Sequence, residues 1–504
     1  MKKIIALALA VLMLLPVLVA CNTNTNDPAV TTTAGGDGGT EDPSVTTGAP
    51  VTDAPVAELP EGKLDFDVKV LARGGQGANW IAWDVVYDDS DVPYVVDTLN
   101  NAIKNRNDAM EDKYGITFTG IFVPSVESEA EAKISANKNE YDLILPTIYE
   151  AGRLAQKGRV IPTQELDYVD LSKPWYDQRC VEELDIKGKN FFFLSDITAV
   201  DLDAIWTYFF NHALIDKYDL DDPYELVADK KWTLDAMLAM CEVATEDSDN
   251  NPTKEDAWGL VGHDYIATSL YIGSGERVAT ADDEGNITLT MNANAGRVVN
   301  LLESINDMRP YWCRYALNRT YSEYGSFERY GFEASDDYPE LVGVFTSGHA
   351  LFMGEVLSTL REFADYDMKI GVLPTPMFEE SQKEYYCAVN DKAPAMCVPN
   401  TCEDTRRISI VIEAWAYESH STLLPAYYDN CMTTRYAKDA ITSDILDMIF
   451  ASRTYDLGIY YGWGNLATRF TAMAYNGSSK FASMYSSNSG MAKMQLDAFM
   501  RDFG

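Results

Sequence analysis

The chain has 504 residues and a formal net charge of −38 at pH 7. A surface this acidic repels phosphate backbones and anionic headgroups, which excludes nucleic acid as a partner and a basic patch as a membrane anchor. The length exceeds what one compact core holds, so two or three lobes are expected, and 46% hydrophobic residues supply their interior.

Lys2 and Lys3 lead an apolar run over 4–18 that ends in Leu18-Val19-Ala20-Cys21. A positive start, a short apolar stretch and a small residue before the cut make 1–20 a signal peptide, too short to span a bilayer. The final tetrapeptide resembles the lipobox of bacterial lipoproteins, which implies lipidation of Cys21 and a position on the extracytoplasmic face of the cell membrane, as on a Gram-positive-type surface. From there to residue 62 the chain is Thr, Gly, Pro, Asp and Ala with few large apolar residues. Such a stretch buries too little to fold and reads as a disordered spacer.

Folded structure is expected from residue 63. Residues 63–71 alternate apolar and polar as a half-buried strand, and Gly74-Gly75-Gln76-Gly77 turns the chain. Ser90-Asp91 and Pro93 open a helix carrying Val95, Leu99, Ile103 and Met110 on one face, stopped by Gly115. A strand over 116–123, a charged helix over 127–137, a strand over 141–145 and a short helix over 151–157 complete a βαβαβα rhythm. That rhythm predicts a mostly parallel sheet covered by helices. Strands follow at 191–194 and 206–210, a helix at 232–243, a hairpin turn at 282–286 and a helix at 295–308. A strand at 368–373, a helix at 406–417 and a mostly helical last hundred residues close the reading.

Little of the sequence suggests catalysis or metal binding. The seven cysteines after Cys21 are scattered without a CxxC pair and read as buried free thiols, with a Cys397–Cys402 bridge the minority alternative. Four histidines and no zinc spacing leave no metal expected. His212, His263, His349 and His420 read as structural, and no nucleophile elbow, phosphate loop or dinucleotide fingerprint is present.

Several segments, taken in order, resemble one family. They are residues 93–107 before Tyr114-Gly115-Ile116, Tyr141-Asp142-Leu143-Ile144, Leu171-Ser172-Lys173-Pro174-Trp175-Tyr176-Asp177, Asp222-Pro223-Tyr224-Glu225-Leu226-Val227, Lys231-Trp232-Thr233-Leu234-Asp235, the 345–352 turn, the 371–376 run with Gln382 and Tyr385, and 444–458. The chain is thereby similar to the extracellular solute-binding proteins of the family 1 type, which deliver sugars to ABC importers. The resemblance implies a periplasmic-binding-protein-like type II fold: two α/β lobes joined by hinge strands, with a ligand cleft between them. It places lobe 1 at 63–205 plus 373–420 and lobe 2 at 206–372 plus 421–504. The implied partners are a carbohydrate, ABC permease subunits and the membrane through the lipid; a monomer without cofactor is expected. One departure is the 247–251 loop, which offers calcium-type ligands yet lacks the central Gly of a calcium loop.

A sugar pocket needs aromatic platforms beside carboxylates and amides, and α/β sheets bind ligands beyond the carboxyl ends of their strands. That rule selects Gln76, Trp80 and Trp83 after the first strand, Tyr149 and Glu150 after the third, and Asp196 and Trp206 near the first hinge. Glu355, where relatives place a ligand contact, Asn390 and Trp463 complete the set. An exported glycoside hydrolase or a surface sensor or adhesin are the rival classes, since 78 acidic residues leave room for a catalytic pair.

Overall fold

Described here are residues 55–75, 80–85, 97–315, 337–363, 366–433 and 440–501 of a computed structural model. The signal peptide, Cys21, nearly all of the spacer, Gln76, the start of the first helix and the Cys431 side chain lie outside them. Three strands, β1 (Phe66–Arg73), β2 (Ile116–Val123) and β3 (Leu143–Leu145), form a parallel sheet in the order β2-β1-β3. The helices between them, Asp97–Tyr114 and Val126–Ser135, are the crossover connections that a parallel sheet requires. Alternation along β1 and β3 sorts side chains to two cores. Val68, Val70, Ala72, Leu143 and Leu145 face Trp175, Ile408, Val411 and Trp415. Leu71 and Ile144 face the opposite way, into a larger core that continues to the second sheet.

The second sheet runs β10-β4-β9-β5-β8, with β4 (Trp206–Asn211), β5 (Trp258–His263), β8 (Trp312–Tyr315), β9 (Ala350–Val356) and β10 (Ile370–Pro374). Here β5 is parallel to β8 and β9, while β4 is antiparallel to β9 and β10. Every residue of β4, β5, β9 and β10 is buried. A hairpin of β6 (Ala279–Ala281) and β7 (Ile287–Leu289) closes through the expected 282–286 turn. At the crossing that the resemblance implies near 205–206, Ile205 bridges Val389, next to β11 (Cys387–Ala388), which pairs in parallel with β12 (Arg453–Thr454).

Three expectations need correction. Residues 191–194 form no strand; Phe193 makes only an isolated bridge to Met396, because the extended run lacks a continuous neighbour. The helix expected at 406–417 runs from Thr405 to Thr433 and takes Pro425 into its interior. Residues 345–352 are not a turn alone: a helix, Asp337–Thr346, leads through Gly348 into β9.

The 453–465 segment lies against the first lobe as well as the second. Gln156 Nε2 donates to the Tyr461 carbonyl at 2.7 Å. A Cβ at Gly152 would fall 2.5 Å from the Tyr460 carbonyl oxygen, so only glycine allows helix Ile148–Gln156 this approach. The six described cysteines, 180, 241, 313, 387, 397 and 402, are free thiols and no 397–402 bridge forms. Among the described residues no helix is long and apolar enough to cross a membrane, and no group of metal-ligating side chains gathers. The 247–251 loop closes on itself: Asp249 N–H donates to Asp247 and Asn251 N–H to Asp249.

Candidate functional site

The carboxyl ends of β5 and β9 and the start of β4 share one edge of the second sheet, since Trp206 pairs with Val356 and Thr207 with Glu355. This edge is built around an aromatic stack. Trp206 is fully buried and lies under the half-buried Tyr265 ring, with centroids 5.0 Å apart and planes 15° apart. Its indole Nε1 has no hydrogen-bond partner among the described residues. His263 meets the Trp206 ring edge-on at 5.1 Å, and its Nε2 lies 2.6 Å from Glu355 Oε1. Burial above all, then Asp391, holds the Tyr265 hydroxyl well above the ordinary phenol range.

Two loops of the first lobe come to the same neighbourhood. Tyr149 N–H donates to the Asp391 carbonyl at 3.1 Å, which ties the residue after β3 to the 390–392 crossing. Lys392 and Arg153 sit 5.5 and 5.8 Å from the Tyr149 ring centre as cation–π partners. Asn390 N–H donates to the Ala204 carbonyl, and its Oδ1 accepts from Lys392 N–H. The crossing therefore touches both Tyr149 and the residues that lead into Trp206.

After β1, the 80–85 loop is latched to the approach to the hinge. Asp84, fully buried, accepts from Thr198 Oγ1 at 3.0 Å and from Ala199 N–H at 2.5 Å. In return Arg106 donates to the carbonyls of Ile197, Asp84 and Val85 and lies over the Trp415 ring. Burial pushes the Asp84 carboxyl up to about 6 against these donors. The latch presents Trp80 and Trp83 half-buried against the larger core. Trp80 holds φ at +57°, a left-handed conformation that costs a bulky residue of the order of 1–3 kcal/mol and concentrates at working sites.

Among the predicted residues, the structure separates those with a free face from those already engaged. Trp80, Trp83, Tyr149 and Asp196 are partly exposed. Asp196 pairs with His420 at 2.6 Å, and burial followed by that histidine sets its carboxyl, raised overall. Glu355, 3% exposed, is engaged with His263, and Asn390 is buried beside the crossing. Glu150 is a helix cap: its carboxylate accepts from Thr147 N–H at 3.0 Å and from Ser125 Oγ at 3.0 Å. Trp463 is fully buried, stacked on Tyr461 at 5.1 Å and tilted against Phe499, so it packs the core and offers no face to a ligand. Gly462 and Gly464 suggested an open loop in sequence, but the last helix, Phe481–Arg501, covers it.

Sequence reasoning missed Tyr265, His263 and Lys392 as members of this neighbourhood. Tyr265 was recoverable, since it follows the end of β5 in Gly262-His263-Asp264-Tyr265. The strand itself escaped notice because a strand buried on both faces shows no alternation.

No known family profile matches the sequence, and no curated protein matches it either. Solved structures do share its fold. The GacH receptor of Streptomyces glaucescens, determined unliganded and with acarbose, aligns over 86% of this chain and 98% of its own at a TM-score of 0.52 and 12% identity. A maltose/maltodextrin-binding domain, MalE, from Bdellovibrio bacteriovorus, bound to maltotriose, aligns over 86% and 100% at 0.51 and 12%. An ABC substrate-binding protein from Listeria monocytogenes in complex with cycloalternan aligns over 85% and 98% at 0.51 and 12%. The chain thus has the α/β two-lobed fold of sugar-binding proteins of ABC importers.

Proposed function

We propose that this chain is an extracellular solute-binding protein that captures a neutral carbohydrate, an oligosaccharide in our reading, between its lobes and presents it to an ABC permease. One observation carries the reading: on a fold shared with sugar-bound structures, half-buried Tyr149 and Tyr265 meet Asp391 and Lys392 at the 390–392 segment, while the 80–85 loop, latched to residues 198–199, carries half-buried Trp80 and Trp83. Aromatic faces match the apolar faces of sugar rings, and the polar groups beside them match hydroxyls. Capture of this kind needs no bond chemistry; closure follows from tighter binding to the closed state.

Support for a non-enzymatic role comes from how the carboxylates are used. Glu150, Glu355 and Asp196 are each committed to a cap or an ion pair. Lipidation at Cys21 would tether the receptor beside its permease, which the 18–21 tetrapeptide supports.

The deciding experiment is a thermal-shift and calorimetric screen with maltotriose, mannotriose, acarbose and cycloalternan, alongside product analysis. Stoichiometric binding without turnover is expected, and Trp83→Ala should weaken the best sugar at least tenfold. Released product, or no binding by any sugar, would overturn the proposal. For the anchor, Cys21→Ala should move the protein from the membrane fraction to the medium.

A further inference from the structure

Edge-on to Trp206, beside its stack with Tyr265, lies an ionisable group that sugar capture leaves unassigned. His263 ends β5 and is 4% exposed. Its Nε2 points at Glu355 Oε1, 2.6 Å away. Its Nδ1 faces two rivals: the Tyr265 backbone N–H at 3.2 Å and Asp264 Oδ1 at 3.5 Å. An N–H donor needs the Nδ1 lone pair, whereas a carboxylate needs a proton on that nitrogen. The two contacts therefore belong to opposite protonation states of one ring.

The ring stands where such a choice matters. Its edge meets Trp206, and the residue competing for Nδ1 is Tyr265, the other half of the stack. The charged groups around it are Glu355 from β9, Asp264 on the same turn, and Asp391, which faces Tyr265 from the 387–392 crossing.

We propose that His263 is a positioning residue of the cleft: its imidazolium compensates Glu355 and engages Asp264, and loss of that proton hands Nδ1 to the Tyr265 N–H and resets the Trp206–Tyr265 platform. Burial opposes the charge, but Glu355 and Asp264 outweigh it and push the imidazole up to about 9. At neutral pH the buried Glu355 charge is accordingly compensated, as a floor for an uncharged ligand requires. The consequence for affinity rests on the sugar-binding reading; the state of the platform does not.

A ligand-free titration of tryptophan emission in the full chain tests this, because a protonated imidazole quenches a neighbouring indole. Wild type should show a transition near pH 9 that is absent in His263→Gln, which keeps a donor toward Glu355 without the charge. Trp206→Phe should also lack it, and Glu355→Gln should move it below pH 8. A transition that survives His263→Gln, or none in wild type, overturns the proposal. If the His263→Gln chain does not fold, the imidazole Cε1–H resonance of wild type, followed from pH 6 to 10, makes the same decision. Maltotriose affinity measured at pH 7 and pH 10 then reads the consequence: a fall of at least fivefold in wild type and under twofold in His263→Gln. Failure of every sugar to bind at either pH would sink the sugar reading and leave the emission result to judge His263.

Discussion

Two buried ionic groups lie near the crossings between lobes, and they differ in the cation. Around Arg453, Asp177 lies 2.8 Å and Asp201 3.4 Å away, and the Tyr455 hydroxyl donates to Asp177 at 2.5 Å. Around Glu355 the cation is His263. Arginine holds its charge at every working pH, and here its neighbours raise its affinity for the proton further although burial opposes it. The first group is therefore a permanent knot that joins helix Gln178–Glu183, the 200–203 turn and β12. Histidine can lose its proton, so the second group can respond to the medium. A guanidinium fixes an architecture; an imidazole in a similar setting makes it conditional.

Removing the permanent cation should cost most. Arg453→Leu leaves Asp177 and Asp201 buried without compensation, and a loss of about 3–5 kcal/mol is expected in denaturant unfolding at pH 7. A loss under 1 kcal/mol would mean the knot is not structural. Trp463→Ala should follow closely, at about 3–4 kcal/mol from the cavity it opens, with sugar affinity changed less than twofold. Trp83→Ala inverts that pattern: a small stability change and a large loss of affinity, read by calorimetry on both variants.

The conditional side of the comparison appears in pH profiles. Burial raises Asp84 and Asp456 from the ordinary value near 3.8 to about 6. A carboxyl raised on folding adds stability that is full below pH 3.8 and lost as pH rises through 6, roughly 2–3 kcal/mol per group by linkage. Unfolding followed from pH 4 to 7 should show that decline, and Asp84→Asn should flatten it; an unchanged slope would refute the assignment. His263 adds a second decline in the same direction, present below 6.5 and lost as pH rises through 9. Smallest of all, Lys104→Ala breaks an exposed pair with Asp108 and should change stability by less than about 1 kcal/mol.

Legibility followed burial. Strand β2 and, far along the chain, the helix Ala295–Met308 were bounded correctly, because one face of each meets solvent and its period is written in polar residues. In the second sheet β5 and β8 went unread. Trp258–His263 is buried throughout, and a strand with no wet face has no alternation to read. The tryptophans show the same limit in the site. Trp83 and Trp463 both sit in polar or Gly-rich surroundings in sequence, yet one keeps a free face and the other is sealed by Phe499 from the last helix.

Taken alone, the sequence determined that the chain alternates strands and helices into an α/β body, which residue types could meet a sugar, and that the first 62 residues differ in kind from the rest. Those are local properties, set by periodicity and composition over a dozen neighbours. Only the tertiary structure decided which candidates keep an exposed face. Glu150 became a cap and Trp463 core, while Tyr265, Lys392 and His263 entered the site. Each of those outcomes depends on contacts between segments tens to hundreds of residues apart, such as Glu355 with His263 and Tyr149 with Asp391. A free face is a property of what covers it, and the covering segment is remote in the chain.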